Sequence, residues 1–207
     1  MVTAYSASES PNESSLVNAA RDGDRAAFGG LYARYARMVH GILLARIPPG
    51  DVDDLVQDVF LRALPRLHTL RDVGRFGGWL AAIARNCAND YHRRSRPSQS
   101  LSDQEAEGAI SDGVREREAA AILEVVRRLP ETYRETLILR LVEGMTGPEI
   151  AARTGLTEGS VRVNLHRGMQ QLRQKLGSTA RGSEMQRGSR VGDGSSVQQK
   201  AGLAEEE

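Results

Sequence analysis

The sequence predicts an all-α protein of two small helical domains joined by an acidic flexible linker, the second domain a helix-turn-helix. Three observations carry this expectation. Aromatic residues make up only 4% of the 207 positions, while Leu, Ile, Val and Ala dominate a hydrophobic fraction of 40%, a supply that suits thin helical cores better than sandwiches. Apolar residues recur at three and four through most of the chain, which is the helical period. The net charge of +1 also conceals a separation of sign: residues 16–97 carry +5, residues 98–118 carry −4 and residues 119–176 carry +3.

Residues 1–13 are Ser-rich and polar and read as a disordered end, with a first helix starting near Ser14 or Ser15 as N-cap. From Asp24 to Arg46, the residues Phe28, Leu31, Tyr32, Tyr35, Met38, Val39, Ile42 and Leu43 mark an amphipathic helix, ended by Pro48, Pro49 and Gly50. Asp51 is placed to cap a third helix over Val52–Leu64. Its apolar stripe is Val52, Leu55, Val56, Val59, Phe60, Ala63 and Leu64, and Asp54, Gln57, Asp58 and Leu61 point elsewhere. After a loop from Leu67 to Arg75, a fourth helix buries Phe76, Trp79, Leu80, Ile83, Ala84, Cys87 and Tyr91. Its outer side carries Arg85, Asn86, Asn89, Asp90, Arg93 and Arg94. The first domain is thus 14–97.

Residues 98–113 lack an apolar period, and Asp103, Glu105, Glu107 and Asp112 make the segment an acidic linker. In the second domain, 114–176, Ile122, Leu123, Val125, Val126 and Leu129 mark one helix. Pro130 stands at the first turn of the next, over Thr132–Glu143, which Gly144 closes. Pro148 starts a short helix, Gly155 breaks it, and Thr157 caps a last helix reaching Leu176. Residues 177–207 are rich in Gly, Ser and Gln and read as a disordered tail.

The same composition excludes several functions. No apolar run reaches the roughly 18 residues of a membrane span, and the first thirty residues have no signal-peptide pattern, so a cytoplasmic protein without membrane insertion is expected. The single Cys87 excludes an internal disulfide and a multi-thiolate zinc site. Asp53, Asp54 and Asp58 form the one acidic cluster in a helix, but helical spacing turns Asp53 away from the side shared by the other two, which argues against a two-metal nuclease site. The expectation is a non-enzymatic protein with no cofactor or metal.

A short helix, a tight turn at Thr154–Leu156 and a long basic helix have the layout of a helix-turn-helix, whose second helix enters the DNA major groove. Val161, Leu165, Met169, Leu172 and Leu176 step by four, four, three and four, dedicating one face to packing on Ile150 and Ala151. The other face offers Glu158, Ser160, Arg162, Val163, His166 and Arg167 as the DNA-facing set. Arg162 and Arg167 suit base edges or phosphates, and Glu158 can accept from cytosine N4. Of the 28 cations, 26 are Arg; the planar guanidinium fork fits phosphate and carboxylate alike, so this bias alone decides nothing.

Taken together, the two halves resemble an extracytoplasmic-function (ECF) sigma factor, of the sigma-70 family, over about residues 15–176. Val52-Asp-Asp-Leu-Val-Gln-Asp-Val-Phe-Leu-Arg-Ala-Leu64 and Phe76-Gly-Gly-Trp-Leu-Ala-Ala-Ile-Ala-Arg-Asn86, with Asp90, Arg93 and Arg94, resemble the family's region 2. Leu129-Pro-Glu-Thr-Tyr-Arg134, Glu149-Ile-Ala151, Gly159-Ser-Val-Arg162, Leu165-His-Arg167 and Leu172-Arg173 resemble its region 4. The recognition helix departs from the common pattern at Val163 and Asn164, and Thr146-Gly-Pro148 departs before it.

The resemblance implies a set of partners and roles. Asp54, Gln57, Asp58 and Leu61 would bind core RNA polymerase. His68, Thr69, Leu70, Arg71 and Asp72, with Arg85, Asn86, Arg93 and Arg94, would open the promoter's minus-ten element and hold its unstacked bases. An Asn offers both donor and acceptor to a Watson–Crick edge, and extruding a base costs a few kcal/mol that such contacts must offset. Trp79 reads as core, with stacking on a base as the alternative. The second domain would read the minus-thirty-five element as duplex. Core RNA polymerase, promoter DNA and an anti-sigma factor are the implied partners. The alternative reading, a free-standing helix-turn-helix transcriptional regulator, leaves the first half without a purpose.

Overall fold

The computed structural model describes residues 12–95 and 113–188. The expected N-terminal end through residue 11, the linker from 98 to 112 and the tail from 189 lie outside the described residues. Among those described there are eight α-helices and no strand: α1 (Glu13–Arg21), α2 (Arg25–Leu44), α3 (Val52–Ala63), α4 (Phe76–Ser95), α5 (Gly113–Arg127), α6 (Glu131–Leu141), α7 (Gly147–Thr154) and α8 (Glu158–Gly188).

Helix α1 begins one residue before the expected Ser14. Its N-cap is Asn12, and no side chain bonds the first turn. Helix α2 starts as the sequence demands, since Oδ1 of Asp24 accepts from Ala26 N at 2.8 Å and Ala27 N at 3.1 Å, satisfying two of the amides that a helix start leaves without partners. Asp51 does not cap α3 with its side chain. Its carboxylate instead accepts the Tyr91 hydroxyl at 2.6 Å, tying the start of α3 to the end of α4.

The predicted stripe of α3 is buried at Val52, Val56, Val59, Phe60 and Ala63. Leu64, expected on that stripe, is 42% exposed, because the chain changes there from α to a 3-10 turn (Leu64–Thr69), which shifts the next residues off the 3.6-residue period. The segment expected as a loop to Arg75 is this turn followed by a second, Val73–Arg75. Phe76, Leu80, Ile83, Ala84 and Cys87 of α4 are buried as predicted. Tyr35 meets Phe76 edge-on at 5.0 Å between ring centroids, and Trp79 leans on Phe76 at 5.8 Å.

In the second domain, Thr146 and Glu149 form a reciprocal capping box at the start of α7. The Thr146 hydroxyl accepts from Glu149 N at 3.3 Å, and Glu149 Oε2 accepts from Thr146 N at 2.8 Å. Gly155 ends α7 at φ +76, a left-handed conformation that a side chain disfavours by roughly 1–2 kcal/mol. Thr157 caps α8 by accepting from Ser160 N at 3.1 Å. Val161 and Leu172 are buried in the same apolar cluster as Ile150 and Ala151, and Leu165, Met169 and Leu176 border it. Helix α8 does not stop at Leu176; it continues through Gly188, so the first part of the expected tail is helical.

The two domains pack on one another and share one apolar cluster. Helix α6 lies at the centre. Residues Glu135 to Leu139 are buried consecutively because α8 covers one side of the helix and α2 the other.

Candidate nucleic-acid interface

The expected site residues fall into three groups. On α3, Asp54, Gln57 and Asp58 are exposed, and Leu61 is 68% exposed on the same side. A leucine this bare on a helix with its own apolar stripe has no role in the core. On α8, Glu158, Ser160, Arg162, Val163, His166 and Arg167 are all exposed. This face is polar apart from Val163, and the helix beneath it is fixed by the Thr157 cap and the Val161–Leu172 stripe. Asn164, one of the residues departing from the family pattern, is buried and takes no part in that surface.

The third group surrounds the start of α4. His68, Thr69, Arg71 and Asp72 are exposed, whereas the Leu70 side chain is buried, because an apolar side chain at that point fills the junction with α1. Its carbonyl accepts from Arg21 Nη2 at 2.7 Å, so Leu70 anchors the segment and offers little side chain to a ligand. Asp72 accepts from Gly74 N at 3.0 Å and pairs with Arg75 at 3.3 Å. Leu70, Arg71, Asp72, Gly74, Arg75, Gly78 and Trp79 form one wall of an open cleft of about 810 Å³, and Ala152, Thr154 and Gly155 of the second domain form the other. Trp79 is therefore half core and half cleft wall.

Along α4, Asn86 and Arg94 are exposed. Arg93 is exposed as well and pairs with Asp90, which also receives Arg62 Nη1 at 3.1 Å. The hydrogen bond from Arg93, followed by that from Arg62, holds the Asp90 carboxyl below the usual carboxylate range. Arg85 is different. Its guanidinium is engaged by Glu135 of α6 through Nε at 3.2 Å and Nη2 at 2.7 Å. Burial pushes the Glu135 carboxyl up, but the hydrogen bond from Arg85 and the charges of Arg46 and Arg85 together outweigh it, and the group titrates below its ordinary range.

Glu135 was not apparent from local pattern, although its helix carries a readable signal. Glu131, Glu135 and Leu139 repeat at four along one side of α6, and Glu143 keeps the spacing just beyond its end. Arg46 pairs with Glu131 at 2.5 Å and with Glu135 at 2.6 Å, and His40 Nδ1 lies 2.6 Å from Glu143 Oε1. The capping box was equally legible as Thr-x-x-Glu.

Both halves of the chain match known protein families. The sigma-70 region 2 family matches residues 31–97, and the sigma-70 region 4 family matches residues 119–172. The chain is 34% identical to the ECF RNA polymerase sigma factor BldN of Streptomyces coelicolor, over 84% of this chain and 69% of that protein. It is 33% identical to the RNA polymerase sigma factor CarQ of Myxococcus xanthus, over 76% and 93% of the two chains. It is 30% identical to the ECF RNA polymerase sigma-E factor of Escherichia coli, over 82% and 96%. Among solved structures, CnrH in complex with the cytosolic domain of CnrY superposes with a TM-score of 0.57 at 29% identity, covering 80% of this chain and 97% of that one. A match to region 2 across the first domain leaves the free-standing regulator without support. The chain belongs to the ECF RNA polymerase sigma factors.

Proposed function

We propose that this sigma factor binds core RNA polymerase through Asp54, Gln57, Asp58 and Leu61, melts the minus-ten element with its first domain and recognises the minus-thirty-five element as duplex with its second. The observation that carries the reading is the presence, on one chain and in the family's order, of two helices that each keep a polar face free beside a packed one. On α4, Asn86 supplies a donor and an acceptor for an unstacked base, with Arg93 and Arg94 beside it for phosphates. On α8, Arg162 and Arg167 are positioned for base edges or phosphates of the major groove. The protein acts by binding, without catalysis or cofactor. Its place is the cytoplasm, where the polymerase is; among the described residues no helix is long and apolar enough to cross a membrane. CnrH is solved with the cytosolic domain of CnrY, and by extension an anti-sigma factor is the regulatory partner of this chain.

Run-off transcription with core polymerase and supercoiled promoter DNA tests the proposal. The expected result is specific initiation that falls steeply with salt, since Arg–phosphate contacts release counterions. Asn86→Ala should weaken promoter opening with duplex binding retained, and Arg162→Ala should weaken binding upstream. Specific DNA binding without initiation would support a regulator instead.

A further inference from the structure

The exposed face of α8 carries one apolar side chain in a place where the fold gives it nothing to do. Val163 is 45% exposed and is the large apolar residue left bare on this helix among the described residues. Each residue of a helix turns about 100° from the last. The packed side of α8 is marked by Val161, Asn164 and Leu172, all buried, and by Gly168, where a Cβ would lie 3.0 Å from Leu137 and 3.2 Å from Tyr133. Val163 stands two residues, about 200°, round from Val161, almost opposite that side. A β-branched residue on an open helix face lowers helix propensity, so neither packing nor helix formation accounts for it.

Its surroundings argue against a protein partner for it. Arg162, His166 and Arg167 are exposed around Val163, with Glu158 and Ser160 just before it. An apolar protein surface laid on Val163 would bury these charges without partners, at high cost. In the major groove the same set is satisfied, because phosphates and guanine edges take the guanidinium groups and the apolar feature of the groove floor is the C5-methyl of thymine. Gly159, one turn earlier on the same side, leaves the backbone bare. A Cβ there would have only Thr157 Oγ1 near it, at 4.0 Å. Packing therefore does not require that glycine, and its bareness lets the first turns of α8, the part of this motif that reaches base edges, approach them closely.

We infer that Val163 is a specificity-determining residue that reads one thymine of the minus-thirty-five element through its C5-methyl group, with Arg162 and Arg167 fixing the register on either side. The inference rests on the proposed role of α8 as the helix that reads this element. A valine neither donates nor accepts a hydrogen bond, so it rewards the methyl and penalises the alternatives. A cytosine at that place would press its N4 amino donor against an apolar side chain, and an adenine its N6 amino group, each losing a water partner with none in return. Val163 is also a position where the recognition helix departs from the family's common pattern, so the preference belongs to this chain.

The test uses holoenzyme assembled from the full chain and core RNA polymerase, with duplex promoter DNA randomised over the upstream element. The DNA retained by the parent should carry a fixed thymine that Val163→Ser no longer selects, while the other fixed positions stay as they were. Replacing that thymine by deoxyuridine removes only the methyl. It should weaken binding by the parent about three- to fivefold, the worth of one buried methyl group, and leave binding by Val163→Ser and Val163→Ala unmoved. Both substitutions fall on an exposed side chain, so the fold is retained. A parent indifferent to deoxyuridine at every selected thymine, or a Val163→Ser variant as sensitive as the parent, would overturn the proposal and leave α8 as the duplex-reading helix. A holoenzyme that selects no upstream sequence would overturn the role of α8 itself, and the proposal with it.

Discussion

In the first domain, rings of α2 reach α3 and α4 across the core. Tyr35 of α2 packs on Phe76, Trp79 packs on Phe76, and Phe28 and Tyr32 pack on Phe60 of α3. In the second domain, α8 lies on α6, with Gly168 set against Leu137 and Tyr133, and its entry angle is set by the Thr146–Glu149 box, the left-handed Gly155 and the Thr157 cap. Both helices have tertiary backing, but the start of α8 is set by local devices and that of α4 is not. The difference suits the proposed tasks: a helix that must hold an unstacked base needs a stiff backing, whereas a helix that enters an intact groove needs chiefly the correct angle to its neighbour.

Core truncation offers the largest test of that contrast. Leu80 is fully buried between α4 and the rest of the first domain; Leu80→Ala should cost about 2–5 kcal/mol, seen as a lowered urea midpoint, with hydrogen exchange of α8 little changed relative to global unfolding. Gly155→Ala should cost roughly 1–2 kcal/mol through the left-handed backbone, and its Cβ would also press on Gly78 at 3.3 Å. The expected signature is faster hydrogen exchange in α7 and α8. Thr146→Ala should cost about 1 kcal/mol, confined to α7; an equal loss of protection in α4 would show that the second domain is not locally held.

The smallest effect concerns pH. The hydrogen bond to Glu143 holds the His40 imidazole above its ordinary range, against burial and with added help from the charges of Glu143 and Asp53; Arg37 also faces the pair. Because the folded value is raised, the stabilisation is complete below the ordinary histidine range, near pH 6.5, and is lost as pH rises through the raised value. Contact between the domains should therefore loosen modestly on the alkaline side of neutrality, read as a longer distance between dyes attached at the exposed positions Asn89 and Gln170 of a Cys87→Ala variant. His40→Gln should abolish that pH dependence.

Much of this molecule is legible in its sequence because helices announce themselves locally. The stripes of α2, α3, α4 and α8 lie within a residue or two of their predicted positions, apart from the far end of α8, and the exposed faces of α3 and α8 follow from the same periods. What escapes is non-local or irregular. Leu64 leaves its stripe because Pro65 follows at a change of helix type, and Asp51 surrenders its capping role to Tyr91, forty residues away. Arg85 looks like a free cation on the outer side of α4, and only the fold brings Glu135, fifty residues on, to meet it. Leu70 appears among polar neighbours in a presumed loop, and its burial depends on α1 crossing beneath. The Thr146–Glu149 box, by contrast, was open to a purely local reading.

Gly41 and Gly77 bear on how far the halves of this protein are interchangeable. Each is a notch shaped for a specific insert, Leu139 of α6 with Glu143 just beyond that helix in one case and the Arg153 carbonyl in the other. A hybrid carrying a foreign second half would inherit those notches without their inserts. The two parts would not seat on one another even where each folds well, so an exchange keeps the seam only when the notched half and its insert travel together.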